Sequence, residues 1–185
     1  MAHITASVEY GIHSLLWLAT AGGAPVSCRD LAQLQGLSPS FLAKIFAKLE
    51  KAGIVGATEG VRGGYRLARE PKDISFLDVV DAIEGAKPLF NCEEIRGRCA
   101  LFDGNAPAWA TDGVCSVHAV MLRAEKAMRS ELARQSLVEL VQAVNRKAPS
   151  DFPGAVQAWV GERIDGRIKK PGAAPVSCAT EGDIP

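Results

Sequence analysis

Three cysteines and a histidine stand in the most irregular segment of the sequence. The segment spans residues 91–118, and its glycines, prolines and mixed polar residues suit neither a helix nor a strand of ordinary length. Cys92, Cys99 and Cys115 are separated by six and fifteen residues, and His118 follows Cys115 at CxxH spacing. Thiolates bind zinc, copper(I) and iron–sulfur clusters, whereas structural zinc sites use closer cysteine pairs. Wide spacing suits a flexible loop folded around a cluster, and three unrelated thiols are the alternative.

The composition of the whole chain limits the class of protein. Its 185 residues are 48% hydrophobic and 23% charged, with zero formal net charge, as in a soluble globular protein. No apolar run approaches the ~18 residues of a membrane span, and the N-terminus has no signal-peptide pattern. We therefore expect a cytoplasmic protein without a membrane partner. Its five cysteines, an odd number, indicate reduced thiols or metal ligands rather than a disulfide framework.

Enzymatic motifs are missing from the sequence. It contains no glycine-rich phosphate loop, no HExxH motif and no nucleophile elbow, and its histidines are only His3, His13 and His118. We therefore expect that the protein is not an enzyme.

Helical periodicity and capping signals arrange the first half of the chain as a winged helix-turn-helix. Apolar residues at helical spacing predict a first helix over about residues 5–20. A second helix begins after Ser27, and a third begins at Ser38. Two short extended pieces follow, joined by the glycine-rich EGVRGG, and Ser75 then opens a fourth helix. Three helices followed by a two-stranded hairpin are the order of a winged helix.

The third helix and the hairpin tip carry the candidate contacts to double-stranded DNA. Between Lys44 and Lys72 there are seven lysines or arginines against three glutamates, so this region is basic although the chain is neutral. Lysines along an exposed helix face suit phosphate contacts, and an arginine between glycines suits a narrow minor groove. The candidate DNA-binding residues are Ser38, Ser40, Phe41, Lys44, Lys48, Lys51, Arg62, Gly63, Gly64 and Tyr65.

Four stretches of the sequence together resemble one known family. They are LSPSFLAKIFAKLEKAGIV, VRGGYRLARE, ISFLDVVDAIEG and the cysteine-bearing segment, and the resemblance covers roughly residues 1–144. The chain resembles the Rrf-two family of bacterial winged-helix regulators, which includes the IscR, NsrR and RsrR types. The resemblance implies a homodimer, paired through a long helix that begins near Ser116, on a pseudo-palindromic operator. It also implies an iron–sulfur cluster between the loop of one subunit and the DNA-binding domain of the other.

The family pattern divides the mainly α-helical chain into four parts. The resemblance assigns residues 1–86 to a winged helix-turn-helix DNA-binding domain and residues 87–115, hereafter the thiol loop, to cluster binding. Residues 116–145 are dimerisation helices, with a long helix over about 116–133 and a short one over 137–144. Residues 146–185 contain five prolines and five glycines with little periodicity, so we expect a flexible tail.

Three cysteines leave one ligand position empty in either common cluster type, so a non-cysteine ligand is expected. In the IscR-like arrangement, His118 joins all three loop cysteines of the same chain around a 2Fe-2S cluster. In the RsrR-like arrangement, Glu9 and His13 of one subunit complete a 2Fe-2S cluster held by only two cysteines of the other. An NsrR-like arrangement would place a 4Fe-4S cluster on three cysteines and Glu9.

The RsrR-like arrangement, and with it a 2Fe-2S cluster, is favoured. Glu9 and His13 stand at i and i+4 on one helix face. The sequence CEEIRGR and the fifteen-residue gap before Cys115 also resemble that branch, whereas Cys99 and His118 depart from it. The resulting prediction is a transcriptional regulator, expected to be a repressor, that senses redox state, nitric oxide or iron through its cluster. The alternative is a cluster-free regulator of the same fold that senses oxidants through its thiols.

Overall fold

The N-terminal half of the chain folds as three helices followed by a two-stranded antiparallel hairpin. The computed structural model describes residues 4–168. Its first elements are α1 (Ala6–Thr20), α2 (Cys28–Gln35), α3 (Pro39–Lys51), β1 (Val55–Thr58) and β2 (Gly64–Leu67). In the hairpin Val55 pairs with Leu67 and Thr58 with Gly64. The predicted mainly α-helical winged helix-turn-helix is therefore confirmed.

Local capping signals set the boundaries of the first helices. The Ser27 hydroxyl accepts a hydrogen bond from the Asp30 amide at 3.1 Å, and Ser38 accepts one from the Phe41 amide at 3.2 Å. Gly36, after α2, takes the left-handed conformation that ends a helix (φ 66°). Ser75 and Asp78 form a reciprocal capping box at the start of α4 (Phe76–Glu84). Each predicted helix start in this half is therefore confirmed.

The core of the winged helix lies among helices α1 to α4 and the hairpin. The inner face of α3 is buried completely or almost completely, and it consists of Leu42, Ile45, Phe46 and Leu49. Gly11 brings α1 close to α4, because a β-carbon at Gly11 would lie 2.5 Å from Ile83 Cδ1. Apolar burial of this kind contributes roughly 25 cal/mol per Å², and it fixes the position of α3 against the rest of the domain.

The second half contains the thiol loop and three further helices. The loop holds two short 3₁₀ turns, at Ile95–Arg98 and Ala100–Phe102, and the single-turn helix α5 (Ala108–Thr111). The helices that follow are α6 (Ser116–Arg134), α7 (Leu137–Lys147) and α8 (Phe152–Ile168). No helix within residues 4–168 is long and apolar enough to cross a membrane.

Helix α6 has apolar residues on two faces rather than one. An ion pair between Arg129 and Asp81, with N–O distances of 2.7 and 2.9 Å, joins α6 to α4. Met121 and Met128 are half-buried, but Val117 and Val120 are 58% and 52% exposed. The helix therefore leaves an apolar stripe uncovered along its outer side.

The expectation of a flexible tail from residue 146 is wrong for residues 152–168. These residues form α8, and Val156 and Val160 are buried, while Trp159 and Ile164 pack against the core. The amide of Gln157 donates to the Thr20 carbonyl at 3.2 Å, and Arg167 forms an ion pair with the nearly buried Asp30. The physical reason is tertiary packing, which outweighs the low helix propensity of the glycines in this stretch. The part of the predicted tail beyond residue 168, with Cys178, lies outside the described residues.

Candidate DNA interface and thiol site

The outward face of α3 presents separate cationic and aromatic groups. Ser40, Lys44 and Lys51 are exposed there. Phe41 is 39% exposed, and its ring lies edge-on to Tyr10 of α1, with ring centroids 5.9 Å apart. Ser38 is exposed too, but its hydroxyl caps the helix. The face can therefore offer two positive charges and a hydroxyl to a polyanion, on a helix that the core holds in place.

Lys48 differs from the other predicted lysines of this face. Its ammonium group donates a 2.6 Å hydrogen bond to the carbonyl oxygen of Ile83, in the last turn of α4. The last carbonyls of a helix lack partners within the helix and carry partial negative charge, so a lysine satisfies them well. Lys48 therefore joins α3 to α4 in this structure.

The hairpin tip exposes one predicted contact and buries another. Arg62 is exposed at the tip beside Val61, which is 53% exposed, and Arg66 is exposed on β2. Tyr65 is only 7% exposed, and its ring packs on Phe46 with centroids 4.6 Å apart. The predicted DNA contact by Tyr65 is therefore corrected to a core contact, because strand alternation turns its side chain inward. The same alternation turns Arg66 outward, which the sequence prediction missed.

The two glycines of the tip are required by the protein's own backbone. A β-carbon at Gly63 would lie 2.3 Å from the Thr58 carbonyl oxygen. A β-carbon at Gly64 would lie 2.6 Å from the backbone of Val26, which forms a β-bridge with Tyr65. Both glycines therefore let the hairpin close and pack, and they shape the tip that carries Arg62.

Two of the three loop cysteines lie around one arginine. The Arg96 guanidinium binds both carboxylate oxygens of Glu94, at 2.5 and 2.9 Å, and the carbonyl oxygens of Asp112 and Gly113, at 3.2 and 2.9 Å. These contacts, hereafter the Arg96 clasp, tie the two ends of the thiol loop together. Cys92 and Cys115 are half-buried, whereas Cys99 is exposed.

Both half-buried thiols also act electrostatically on the Arg96 guanidinium. The hydrogen bond with Glu94 raises the pKa of Arg96 above its usual value, and the charges of Cys115 and Cys92 raise it further. In turn, the hydrogen bond with Arg96 lowers the pKa of Glu94, helped slightly by the charge of His118. The clasp was not predicted, and its only signal in the sequence is an arginine between cysteines.

The predicted non-cysteine ligands stand on two different elements. His118 is half-buried in the first turn of α6, where its ring lies 5.9 Å from that of Phe90. Glu9 and His13 are exposed, one turn apart on α1. Within residues 4–168, no three histidine, cysteine or acidic side chains come together as metal ligands do. In this structure the three loop cysteines and His118 of one chain are therefore not gathered into one ligand set.

Cys28 takes no part in either candidate site. It is buried at the start of α2, and its thiol donates to the Pro39 carbonyl oxygen at 3.7 Å. Cys28 is therefore a small buried residue of the core. His3 lies outside the described residues.

Comparison with known proteins gives one family and several relatives. Residues 4–143 match the model of the Rrf2 family, described as an iron-dependent transcriptional regulator. The chain is 36% identical over 140 residues to Protein rrf2 of Nitratidesulfovibrio vulgaris. The matched region covers 75% of this chain and 87% of that protein. The chain is also 34% identical over 95 residues to the regulator IscR of Aliivibrio salmonicida, which covers 51% of this chain and 56% of that one.

Solved structures support the same fold. The chain is similar to CymR, the global cysteine regulator of B. subtilis, with a TM-score of 0.62 and 25% identity over 77% of this chain and 98% of that one. It is also similar to IscR of T. potens, with a TM-score of 0.59 and 27% identity over 78% of this chain and 90% of that one. One relative is thus named for cysteine regulation, while the other shares its name with IscR of Aliivibrio salmonicida.

Proposed function

The chain belongs to the Rrf2 (Rrf-two) family of transcriptional regulators, and we propose that an iron–sulfur cluster on its thiol loop controls how it binds a DNA operator. The protein is a helix-turn-helix regulator rather than an enzyme, as its relatives are. The observation that carries the finer proposal is the convergence of Cys92 and Cys115 on the Arg96 clasp. Two thiols held together and half-buried suit a shared ligand better than three scattered thiols would.

The DNA-binding surface combines α3 with the hairpin tip. Lys44, Lys51, Arg62 and Arg66 are exposed on these two elements, and cations so placed suit a helix in the major groove and a tip in the minor groove. Ser40 and the part-exposed Phe41 lie beside Lys44 on the same helix. Binding of this kind gives affinity that falls steeply with salt. We place the protein in the bacterial cytoplasm, on the nucleoid when bound, where operator occupancy represses transcription.

A homodimer accounts for the uncovered apolar stripe of α6. Val117 and Val120 are more than half exposed, and Ala124 and Ala127 continue the exposed stripe along the helix. A second α6 can bury this stripe in a two-fold contact, and a two-fold dimer matches a pseudo-palindromic operator. Sedimentation of wild type and Val120→Glu tests the pairing: the substitution should shift the dimer toward monomer.

The second subunit also supplies the ligands that one chain lacks. Cys92 and Cys115 provide two thiolates, and no third donor joins them within the described residues of one chain. We assign the remaining positions of a 2Fe-2S cluster to Glu9 and His13 of the other copy, both exposed on α1. When bound, such a cluster supplies one-electron redox chemistry, and histidine ligation raises its potential.

Signalling requires that the cluster states favour different protein conformations. A ligand set that spans two subunits meets this requirement, because gain or loss of the cluster changes how the thiol loop of one copy meets α1 of the other. Helix α1 packs on α3 through the core. Redox state, nitric oxide or iron supply could each act as the signal through this contact.

Anaerobic purification followed by iron analysis and visible spectroscopy tests the proposal. Wild type should be coloured and should contain about two irons per chain, as one 2Fe-2S centre on each thiol loop requires. His13→Ala should lose or alter the cluster, while Cys99→Ala and His118→Ala should retain it. Loss in His118→Ala with retention in His13→Ala would instead support the set within one chain. Loss in Cys99→Ala with a four-iron centre would support the 4Fe-4S arrangement with Glu9.

A cluster-free thiol sensor is the second candidate, and the exposure of Cys99 favours it. An exposed thiol reacts with oxidants more readily than a buried one, and the similar CymR is a cysteine regulator by name. A colourless protein whose operator binding is lost on peroxide treatment and restored by dithiothreitol would support this alternative. Cys99→Ser would then abolish the response, whereas under the cluster proposal it would not.

A further inference from the structure

We propose that Arg96 is a positioning residue that keeps Cys92 and Cys115 side by side before any cluster is bound. The proposal deepens the function proposed above, since it concerns the same thiols. It does not require that the two thiols bind iron, because the clasp is made entirely by the protein.

The clasp holds the loop at points close to both cysteines. Arg96 binds Glu94, two residues after Cys92, and the carbonyl of Gly113, two residues before Cys115. Two residues of chain span at most about 7 Å. Fixing Glu94 and Gly113 to one guanidinium therefore confines both cysteines to its neighbourhood. Cys99 is farther along the chain from both Glu94 and Gly113 than these two cysteines are from their nearer anchor, and it is exposed.

The backbone at Glu94 shows that the clasp constrains the chain. Glu94 has φ 46° and ψ 57°, in the left-handed region that residues other than glycine seldom occupy. Such a conformation costs free energy and persists only where surrounding contacts fix it. The paired hydrogen bonds to Arg96 are those contacts here.

An arginine suits this task better than a lysine. The positive charge of Arg96 lies near Cys92 and Cys115, whose charges raise the pKa of the guanidinium. A guanidinium also has five donors in a planar fork, and in this structure it binds a carboxylate on one edge while reaching two carbonyls. A lysine would keep the charge but could not hold both ends of the loop in one plane.

Cross-linking of the reduced, cluster-free full-length protein tests the proposal. Dibromobimane joins two nearby thiols, and peptide mapping identifies the pair. In wild type the Cys92–Cys115 product should exceed the Cys92–Cys99 and Cys99–Cys115 products. Arg96→Ala should lower the Cys92–Cys115 yield roughly three- to tenfold, as expected for loss of several partly exposed charge-assisted hydrogen bonds. Arg96→Lys should give an intermediate yield.

Arg98 provides the matched control, because it is exposed in the same 3₁₀ turn. Arg98→Ala should leave the cross-linking pattern unchanged. Equal yields in wild type and Arg96→Ala, or an equal loss in Arg98→Ala, would overturn the proposal. Circular dichroism and thermal melting establish that each variant is folded, and the rate of single-site Cys99 alkylation shows whether the loop has merely unfolded.

The outcome is separable from that of the proposed function. A clear preference for the Cys92–Cys115 product in a protein that never acquires iron would uphold the clasp and refute the cluster. Iron bound normally by wild type and Arg96→Ala alike, with unchanged cross-linking, would uphold the cluster and refute the clasp.

Discussion

The ammonium group of Lys48 and the carbonyl oxygen of Ile83 are 2.6 Å apart, so a lysine of α3, the proposed DNA-reading helix, contacts the last turn of α4. Helix α4 ends at Glu84, eight residues before Cys92. The same end of α4 also meets α1, since Glu84 Oε1 accepts hydrogen bonds from the Thr5 amide at 3.1 Å and the Thr5 hydroxyl at 2.5 Å. The chain segment that enters the thiol loop is therefore anchored to both α1 and α3.

This contact predicts that Lys48 and Lys44 have different functions, although they occupy the same face of α3. Lys48→Met should lower the free energy of unfolding by about 1 kcal/mol, because it removes one hydrogen bond, and should leave the salt dependence of DNA binding unchanged. Lys44→Met should leave the free energy of unfolding unchanged and should alter the salt dependence of DNA binding. It should reduce the slope of log K against log salt by about 0.9 for each phosphate that the protein no longer neutralises. Denaturant unfolding and salt titrations of operator binding measure the two effects.

If Lys48→Met lowered the salt slope as Lys44→Met does, Lys48 would leave Ile83 on binding DNA. In that case the anchor would be a property of the free protein, and α4 would be released when the operator is bound.

The hairpin tip should separate folding from DNA contact. Gly63→Ala places a β-carbon 2.3 Å from the Thr58 carbonyl oxygen, so the turn must shift. We expect this variant to lose about 1–3 kcal/mol of stability through overpacking, together with operator affinity. Arg62→Ala should keep the stability of wild type and weaken binding alone. Thermal melts and fluorescence anisotropy with labelled DNA distinguish these outcomes, and an Arg62→Ala variant with unchanged affinity would exclude the tip from the interface.

Most of the winged helix could be predicted because its signals are local. The side chains of Ser27, Ser38 and Ser75 bind amides three residues away, and the apolar face of α3 repeats at helical spacing. Helix α8 could not be predicted in this way. Its Pro153 and three glycines lower its intrinsic propensity, and it is stabilised by burial against a helix more than a hundred residues earlier.

The thiol site shows the same division. The types of the ligand residues could be predicted, because thiolates in an irregular segment suggest a bound metal or cluster that prefers soft ligands. Which thiols come together could not, because Arg96 makes that choice through the backbone carbonyls of Asp112 and Gly113. Every residue has a carbonyl, so no sequence pattern marks these two. The sequence prediction assigned a DNA contact to Tyr65 rather than to Arg66 for a related reason. Only the register of the hairpin decides which of these two neighbouring side chains faces the core.

The packing of α8 predicts that it unfolds together with the DNA-binding domain. Val160 is 2% exposed, and Val160→Ala should lower the stability of the whole domain by roughly 1–3 kcal/mol. Glu162→Ala, on the exposed side of the same helix, should change stability by less than about 0.5 kcal/mol. Chemical unfolding followed by circular dichroism and by tryptophan fluorescence measures both. Separate transitions for the two signals would show that α8 is an independent unit.

The start of α7 predicts an acid-sensitive contribution to stability. Glu139 Oε2 accepts hydrogen bonds from the Ser136 amide at 2.7 Å and from the Ser136 hydroxyl at 2.9 Å, and these bonds lower the pKa of Glu139 below its usual value. Because the pKa is lower in the folded state, the stabilisation is complete above the unfolded value of 4.5. It is then lost as the pH falls through the folded value.

Glu139→Gln should therefore be less stable than wild type at pH 7, and the difference should shrink as the pH falls below about 4. Ser136→Ala removes one of the two donors, so it should reduce the pH dependence by less. Urea unfolding at pH values between 7 and 3 measures the difference, with guanidinium avoided because it is a salt. A constant gap between wild type and Glu139→Gln over this range would show that the Glu139 carboxylate does not stabilise the helix through its charge.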